Sequence, residues 1–214
     1  MSIGADIKQV FTEVGTFVQV EGSGVAEYID YDFNVQVGNP FLREHLRVGS
    51  FSHDTSIKAG DVLYVPRNGE RLLVVNFIPE MFENEIVAVN TTLYKCNVHF
   101  KCYREKTIEG SGSLRDQANR TMVWSLVGEG YAAFTASLRG NISEISEYQV
   151  FGDLLVRKDT LFYSDKISIR PKDRVVISET EYYEVGNTDE RRFNQCSVCM
   201  LNEDSRHSNY EVAP

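Results

Sequence analysis

Cysteine is the residue type of this chain with the clearest potential for metal chemistry. Cys196 and Cys199 have the two-residue spacing of a zinc knuckle, and two further cysteines stand at Cys96 and Cys102. The alternation of apolar and polar residues over 93–102 is typical of a β-strand, and six residues of strand span about 20 Å, too far for one ion to bridge. Residues three apart in a strand point to opposite faces, which separates the other pair as well. We therefore expect all four cysteines to pack in the core as small hydrophobes, with no metal site.

The run Ser52-His53-Asp54 contains the residue types of a nucleophile, a base and an orienting acid. Adjacent residues of a strand alternate between faces, so these three side chains cannot form a relay there. We predict no catalytic residues, no cofactor and no enzymatic activity.

The segment from Gly60 to Asn76 resembles the second motif of the cupin family of metal-binding β-barrels. In that family a histidine stands near the position of Leu72, and an earlier His-x-His followed by Glu supplies the remaining ligands. Leu72 cannot bind a metal, and His45 and His53 lack the His-x-His spacing. The resemblance supports a β-hairpin here. It also leaves a cupin-like barrel that binds a metal or small molecule as an alternative function.

The composition describes an acidic, folded protein. The 214 residues include 22 Lys and Arg against 31 Asp and Glu, for a net charge of −9. This balance disfavours a surface that wraps nucleic acid, because such binding neutralises phosphates with basic residues. Charged residues interrupt each apolar run well before the roughly 18 residues of a membrane helix, so we expect no transmembrane helix. The N-terminus has no pattern of a secretory signal, and we expect synthesis in the cytoplasm.

Short runs of Val, Ile, Tyr and Phe, broken by Gly, Asn, Asp and Pro, predict an all-β fold. Pro66-Arg-Asn-Gly69 between two apolar runs predicts a hairpin turn, since proline presets φ and Asn-Gly tolerates positive φ. Good helix formers cluster only at 6–13 and 114–121.

Two halves of the chain share a pattern, which indicates that one β-module is present twice. Within the shared pattern, Asp61 and Asp173 are predicted to be turn residues that enter a strand. Cys96 and Cys196 are predicted to be equivalent core positions. The matched blocks are 51–65 with 163–177, 69–76 with 180–187, and 95–100 with 195–200.

The repeat predicts two related small β-barrel or sandwich modules in tandem, or one barrel with an inserted β arm. We place the first module at 1–105, a connector at 106–120 and the second module, with a polar C-terminal tail, at 121–214. Residues 78–85 are predicted to be an insertion of the first module that is absent from the second. With Met81 and Phe82 among carboxylates, this insertion is a candidate subunit-contact or lumen loop; an ordinary packed hairpin tip is the other interpretation.

The repeated motifs resemble small virion proteins of tailed bacteriophages. The resemblance rests on Ile57-Lys-Ala-Gly-Asp61-Val, on Tyr94-Lys-Cys-Asn97 and on Ile169-Arg-Pro-Lys-Asp173-Arg-Val-Val-Ile177, the last of which looks like the head-tail adaptor or stopper pattern. It implies a virion structural protein whose β-barrels assemble into a homo-oligomeric ring at the neck, of six or twelve copies, and whose work is done by surfaces rather than catalytic residues.

Such a ring connects or seals head and tail and lets the genome pass without specific binding. The resemblance further implies a portal or adaptor protein as one partner and a tail terminator or tail tube protein as the other, with no membrane partner. A tail or baseplate structural component is an alternative of the same class. The expected location is the virion, after synthesis in the host cytoplasm.

Overall fold

The computed structural model describes residues 3–32, 46–108, 121–135, 159–189, 195–204 and 206. These residues form one helix and thirteen β-strands, which confirms the predicted all-β class. The elements are α1 (Ile3–Val14), β1 (Thr16–Val20), β2 (Ala26–Asp32), β3 (Leu46–Ser52), β4 (Val62–Val65), β5 (Glu70–Val74), β6 (Ile78–Phe82), β7 (Glu85–Cys96), β8 (Val98–Ile108), β9 (Thr121–Thr135), β10 (Asp159–Ser164), β11 (Arg174–Ile177), β12 (Glu181–Asp189) and β13 (Cys196–Glu203).

The first seven strands form a closed barrel, barrel 1, with one extra strand at its rim. Its six barrel strands follow the order β3-β2-β1-β4-β5-β7, and β7 closes the barrel by pairing with β3. Strand β6 pairs with the first half of β7, so the two form a hairpin beside the barrel wall. All of these pairs are antiparallel, which short turns can connect.

The last six strands form a second closed barrel, barrel 2, in the order β10-β9-β8-β11-β12-β13. Each strand has the same neighbours as its counterpart in barrel 1 when β8 is set against β1, β9 against β2 and β10 against β3. Two barrels in tandem are therefore present, rather than one barrel with an inserted arm. The shared strand order supports the predicted duplication.

Strand registers show which residues of the two barrels correspond. Leu63 pairs with Val20, and its counterpart Val175 pairs with Cys102. All eleven residues of the barrel 1 core cluster have counterparts in the barrel 2 core or packed against it. The corresponding residues are Val18 and Phe100, Val20 and Cys102, Ile29 and Ala132, Tyr31 and Phe134, Phe51 and Tyr163, Ile57 and Ile169, Leu63 and Val175, Val65 and Ile177, Leu72 and Tyr183, Val74 and Val185, and Leu93 and Leu201.

The two cores exchange a large and a small residue at one pair of neighbouring positions. Barrel 1 has Ile29 beside Gly49, whereas barrel 2 has Ala132 and Leu161 at the corresponding places. A Cβ on Gly49 would lie 2.6 Å from Ile29 Cδ1. The volume missing from one position is thus supplied by the other, as close packing of a core requires.

Asp61 and Asp173 occupy the same turn of the two barrels, immediately before β4 and β11. The Oδ2 atom of Asp61 accepts a hydrogen bond from the backbone N–H of Lys58, and that of Asp173 from Arg170, at 2.8 Å in both barrels. Both aspartates are buried. The prediction that they are turn residues is confirmed.

The expected module boundary after residue 105 is wrong. Strand β8 pairs with β9 and β11 and so belongs to barrel 2, and the chain crosses between barrels at Asn97. The Asn97 side chain donates to the Phe134 carbonyl oxygen at 2.8 Å and accepts from its N–H at 2.7 Å. The alternating stretch 93–102 is therefore two strands, because its residues enter two different cores. Most of the expected connector, residues 109–120, lies outside the described residues.

The proposed equivalence of Cys96 and Cys196 is also wrong. Cys196 pairs with Ser164, and the counterpart of Ser164, Ser52, pairs with Ala88. Cys196 therefore corresponds to Ala88, while Cys96 ends β7. Local resemblance misaligned this block because the register is fixed by pairing with a distant strand.

The predicted insertion at 78–85 lies opposite a part of barrel 2 that falls mostly outside the described residues. Ile78 pairs with Asn90 and corresponds to Asp189, which pairs with Val198, so the counterparts of 79–85 begin at residue 190. The chain from Val74 to Leu93 is three residues longer than the chain from Val185 to Leu201, which joins the same core positions. Barrel 1 is thus longer than barrel 2 in this stretch, by three residues rather than by the eight of the predicted insertion.

Helix α1 confirms the predicted helix at 6–13, extended at both ends, and packs across β2, β3 and β7 with Phe11 buried. The other helix candidate, 114–121, lies outside the described residues except for Thr121, which begins β9. In the described part of the chain, helices of the length and hydropathy needed to cross a membrane are absent.

The exchange of large and small residues between the two cores predicts that substitutions at Ile29 and Gly49 have non-additive effects on the free energy of unfolding. Gly49→Leu alone should destabilise the protein by about 2 kcal/mol, since the new side chain overlaps Ile29. Adding Ile29→Ala should recover part of that loss, because the pair then matches Ala132 and Leu161. A double-mutant cycle by chemical denaturation measures the coupling. Additive losses would contradict the correspondence of these positions.

Candidate functional site: the contact between the barrels and the acidic hairpin

The four cysteines form two neighbouring pairs, Cys96 with Cys196 and Cys102 with Cys199. Cys102 and Cys199 belong to the barrel 2 core, on β8 and β13. Cys196 faces barrel 1, where its thiol is 3.4 Å from the Val74 carbonyl oxygen. Among the described residues, no group of three or more His, Cys, Asp or Glu side chains is arranged to hold a metal ion.

The side chains of Ser52, His53 and Asp54 do not meet as a relay. The Ser52 hydroxyl donates to Asp54 at 2.8 Å, and Asp54 forms an ion pair with Lys8 of α1. The His53 ring lies instead against Gly4, where a Cβ on that glycine would be 2.9 Å from His53 Nδ1. The three residues therefore fix α1 on the end of barrel 1.

The residues of the cupin-like segment contribute to barrel structure. Leu72 is fully buried in the barrel 1 core, and Gly69, with φ of 72°, forms the tip of the predicted β4–β5 hairpin. His53 contacts α1 on barrel 1, whereas His99 belongs to β8 of barrel 2 and lines the cleft between the barrels. These two histidines therefore do not converge on one site. His45 lies outside the described residues.

Barrel 1 and barrel 2 meet through a polar contact that pattern analysis did not identify. Lys166 of barrel 2 pairs with Asp61 of barrel 1 at 2.5 Å. Gly60 packs so closely that a Cβ would lie 2.5 Å from the carbonyl oxygen of Gln195. The Arg71 guanidinium lies 3.9 Å from the centre of the Tyr131 ring, a cation–π contact across the same boundary.

A cleft of about 400 Å³ opens beside this contact. Its walls combine two carboxylates, a histidine, a tyrosine and the Lys166 ammonium group with glycine backbone. The lining residues are Glu21, Gly22, Gly60, Val62, His99, Glu129, Gly130, Tyr131, Ser164, Lys166 and Ile167. The lysine that lines it is already paired with Asp61, so the cleft presents polar groups without a concentrated charge.

The β6–β7 hairpin exposes apolar side chains beyond the barrel wall. Pairing of β7 with β3 stops at Ala88, whereas the hairpin continues to its turn at Glu83 and Asn84, both with positive φ. Glu80, Glu83 and Glu85 are exposed on the same hairpin. The exposed apolar side chains, each 43–57% accessible, are Ile78, Met81, Phe82 and Ile86.

Barrel 2 contains a second buried polar cluster around Trp124. The guanidinium groups of Arg174 and Arg206 lie 4.3 Å and 4.8 Å from the centre of this ring. Asp204, whose side chain is fully buried, accepts a hydrogen bond from Arg174 at 2.6 Å and from Arg206 at 2.8 Å. Burial favours a raised pKa for the Asp204 carboxyl, but the hydrogen bonds from the two arginines outweigh it and lower this pKa to about 2.

The sequence contained one signal for the contact between the barrels that the pattern analysis missed. Gly60 aligns with Lys172 and Lys166 aligns with Asp54 in the repeat, so each pair differs sharply where the modules otherwise agree. A difference of that kind within a repeat indicates a surface used differently by the two copies. The Trp124 cluster had no such signal, because its members come from two separate strands, β9 and β11, and from the C-terminal segment.

Comparison with known proteins gives no assignment. No protein-family model matches the sequence, and neither characterised proteins nor solved structures match it significantly.

The cysteines should be chemically silent in the folded protein. Burial raises the pKa of the thiols of Cys96, Cys102 and Cys196 to about 12 and also raises that of Cys199. At pH 8 we expect a disulfide reagent to modify, on average, less than one thiol per molecule of folded protein. In denaturant all four thiols should react. Cys102, Cys196 and Cys199 are buried as expected, whereas Cys96 is partly accessible. Rapid reaction of any of the three buried thiols in the native protein would contradict their placement.

Asp204 should make the free energy of unfolding of barrel 2 decrease at low pH. Its pKa is lower in the folded protein than the usual value of about 3.9, so its contribution is complete above about pH 4 and is lost as pH falls towards 2, by about 2 kcal/mol. Asp204→Asn should lose about 3 kcal/mol at pH 7, because it leaves Arg174 buried without a carboxylate. Denaturation followed by Trp124 fluorescence measures both effects. Equal acid dependence of variant and wild type would refute the assignment.

Proposed function

We propose that the chain is a non-enzymatic structural protein of a tailed-phage virion, which forms a homo-oligomeric ring at the neck. The ring joins or seals head and tail and lets the genome pass. Its partners are further copies of the chain, a portal or adaptor protein on the head side, and a tail terminator or tail tube protein on the other.

The observation that carries the proposal is the exposed apolar surface of the β6–β7 hairpin. Four large apolar side chains in nine residues are exposed on a hairpin that projects past the wall of its barrel. Contiguous apolar groups on a surface mark a contact with another molecule, because leaving them in water is unfavourable. A strand-paired hairpin with such a tip suits contact between subunits.

The distribution of exposed apolar residues favours barrel 1 as the assembling module. Within the described ranges, ten of the twelve large apolar side chains that are exposed belong to residues 1–96, whereas Leu126 and Tyr182 are the two from barrel 2. Two barrels of one topology thus carry different surfaces. Barrel 1 provides apolar contact area, whereas the described residues of barrel 2 expose only two large apolar side chains, those of Leu126 and Tyr182.

The net charge of the chain agrees with a role in which the protein surrounds DNA without binding it. The net charge of −9 disfavours binding to phosphates, and the hairpin carries three glutamates with no basic residue between 78 and 87. A ring through which a genome moves needs a wall to which DNA does not adhere. The acidic balance supplies such a wall.

The proposal predicts that assembly depends on the hairpin tip. The double substitution Met81→Gln with Phe82→Gln should reduce the ring fraction at least tenfold while leaving the fold intact, because polar amides replace the apolar contact. Mass photometry and negative-stain microscopy measure the assemblies, alone and with a portal ring. Circular dichroism checks the fold.

The matched control is Leu126→Gln, which removes an apolar side chain of similar exposure from barrel 2. This variant should assemble like the wild type. Rings of about six or twelve copies that persist in the hairpin variant would exclude the hairpin as the contact. A stable monomer that binds a metal or small molecule would favour the cupin-like alternative over a neck protein.

A further inference from the structure

The contact between the barrels joins two different ends of the same module. Barrel 1 contributes what we call its receiving end, the turn with Gly60 and Asp61. Barrel 2 contributes its docking end, with Lys166 and Gln195. Because both barrels have the same topology, each also has the other end. When unlike ends of a repeated unit bind each other, further copies can add to the free ends without limit unless those ends are blocked.

The free receiving end, on barrel 2, is closed by Lys172. This residue corresponds to Gly60, and the two share left-handed backbone with φ of 74° and 82°. At Gly60 there is no room for a Cβ, since Gln195 of the docking barrel lies 2.5 Å away. Lys172 places a side chain at that position, and its carbonyl oxygen accepts a hydrogen bond from Arg206 at 2.9 Å.

Asp173, the aspartate of this free receiving end, already has a cation as its partner. Arg104 donates to both carboxylate oxygens of Asp173, at 2.9 Å and 2.7 Å. When the register of Val20 with Cys102 is continued two residues past the end of β1, the place of Arg104 falls on Gly22, which has no cation to offer. Asp61 consequently takes its cation from Lys166 of the other barrel. Asp173 has no comparable need for a lysine from outside.

The free docking end, on barrel 1, is covered by α1. The helix packs on β2, β3 and β7. Their counterparts β9, β10 and β13 carry the barrel 2 residues that contact barrel 1, namely Tyr131, Phe162 and Cys196. Asp54 stands where Lys166 stands in barrel 2, and it pairs with Lys8 of the helix. An uncovered docking end would therefore bring Asp54 towards Asp173, and the two like charges would repel.

We infer that α1 at one end and Lys172 with Arg104 at the other are stops that limit this mode of stacking to two barrels. Copies of the chain therefore do not join end to end by repeating the contact between the barrels. The inference does not depend on the proposed neck function, because it rests on the correspondence of the two barrels. Any ring or assembly of the chain must use other surfaces.

Two variants of the full chain, each with one end opened, test the inference. The first, with Lys8→Ala, Phe11→Ala and Asp54→Lys, releases α1 and restores a docking lysine. The second, with Arg104→Ala and Lys172→Gly, restores the features of Gly22 and Gly60. With the first variant tethered by its C-terminus, biolayer interferometry should show at least tenfold tighter binding of the second variant than of the wild type. Equal binding of two folded variants would overturn the inference, as would end-to-end chains in the wild type.

A second measurement covers the case in which Arg104→Ala unfolds barrel 2. Gly60→Lys places the stop inside the native contact and should separate the barrels, which X-ray scattering detects as a larger radius of gyration while circular dichroism keeps its β spectrum. Gly69→Lys is the matched control, because Gly69 has the same left-handed backbone but no atom within 4 Å of an added Cβ. An unchanged radius for a folded Gly60→Lys would overturn the role given to Lys172.

Discussion

Each barrel is built around a buried aspartate in the turn before its fourth strand. A carboxylate in that place accepts the backbone N–H three residues earlier, and this fixes the turn; burial of its charge then requires a cation. In barrel 2 the cation is Arg104, from the neighbouring strand of the same barrel. In barrel 1 it is Lys166, from the other barrel. The requirement of one buried charge therefore couples the second module to the first.

The two modules have diverged on their surfaces more than in their cores. Core positions correspond one to one, and even the exchange of Ile29 and Gly49 for Ala132 and Leu161 conserves the combined volume. The outer positions differ in charge and size, as at Asp54 and Lys166. Packing constrains a core to a narrow set of volumes, whereas a surface is free to acquire a new partner.

This divergence gives the two barrels different surfaces. Barrel 1 carries the exposed apolar hairpin and the helix α1, which makes it the module suited to contact other molecules. Barrel 2 satisfies its buried charges internally, at Asp173 and in the cluster of Arg174, Trp124, Asp204 and Arg206. In the neck proposal, barrel 1 provides the contacts between subunits.

The sequence by itself determined what depends on near neighbours. Alternation and turn chemistry sufficed for the all-β class, for the hairpin at Pro66 to Gly69 and for the aspartates of the repeated turn, because each arises within a few residues. The tertiary structure alone decided the boundary at Asn97, the mismatch of Cys96 with Cys196 and the pairing of Asp61 with Lys166. These depend on which distant strands pair and in what register. The period of a strand fixes which face a side chain takes, but it leaves open which barrel that face encloses.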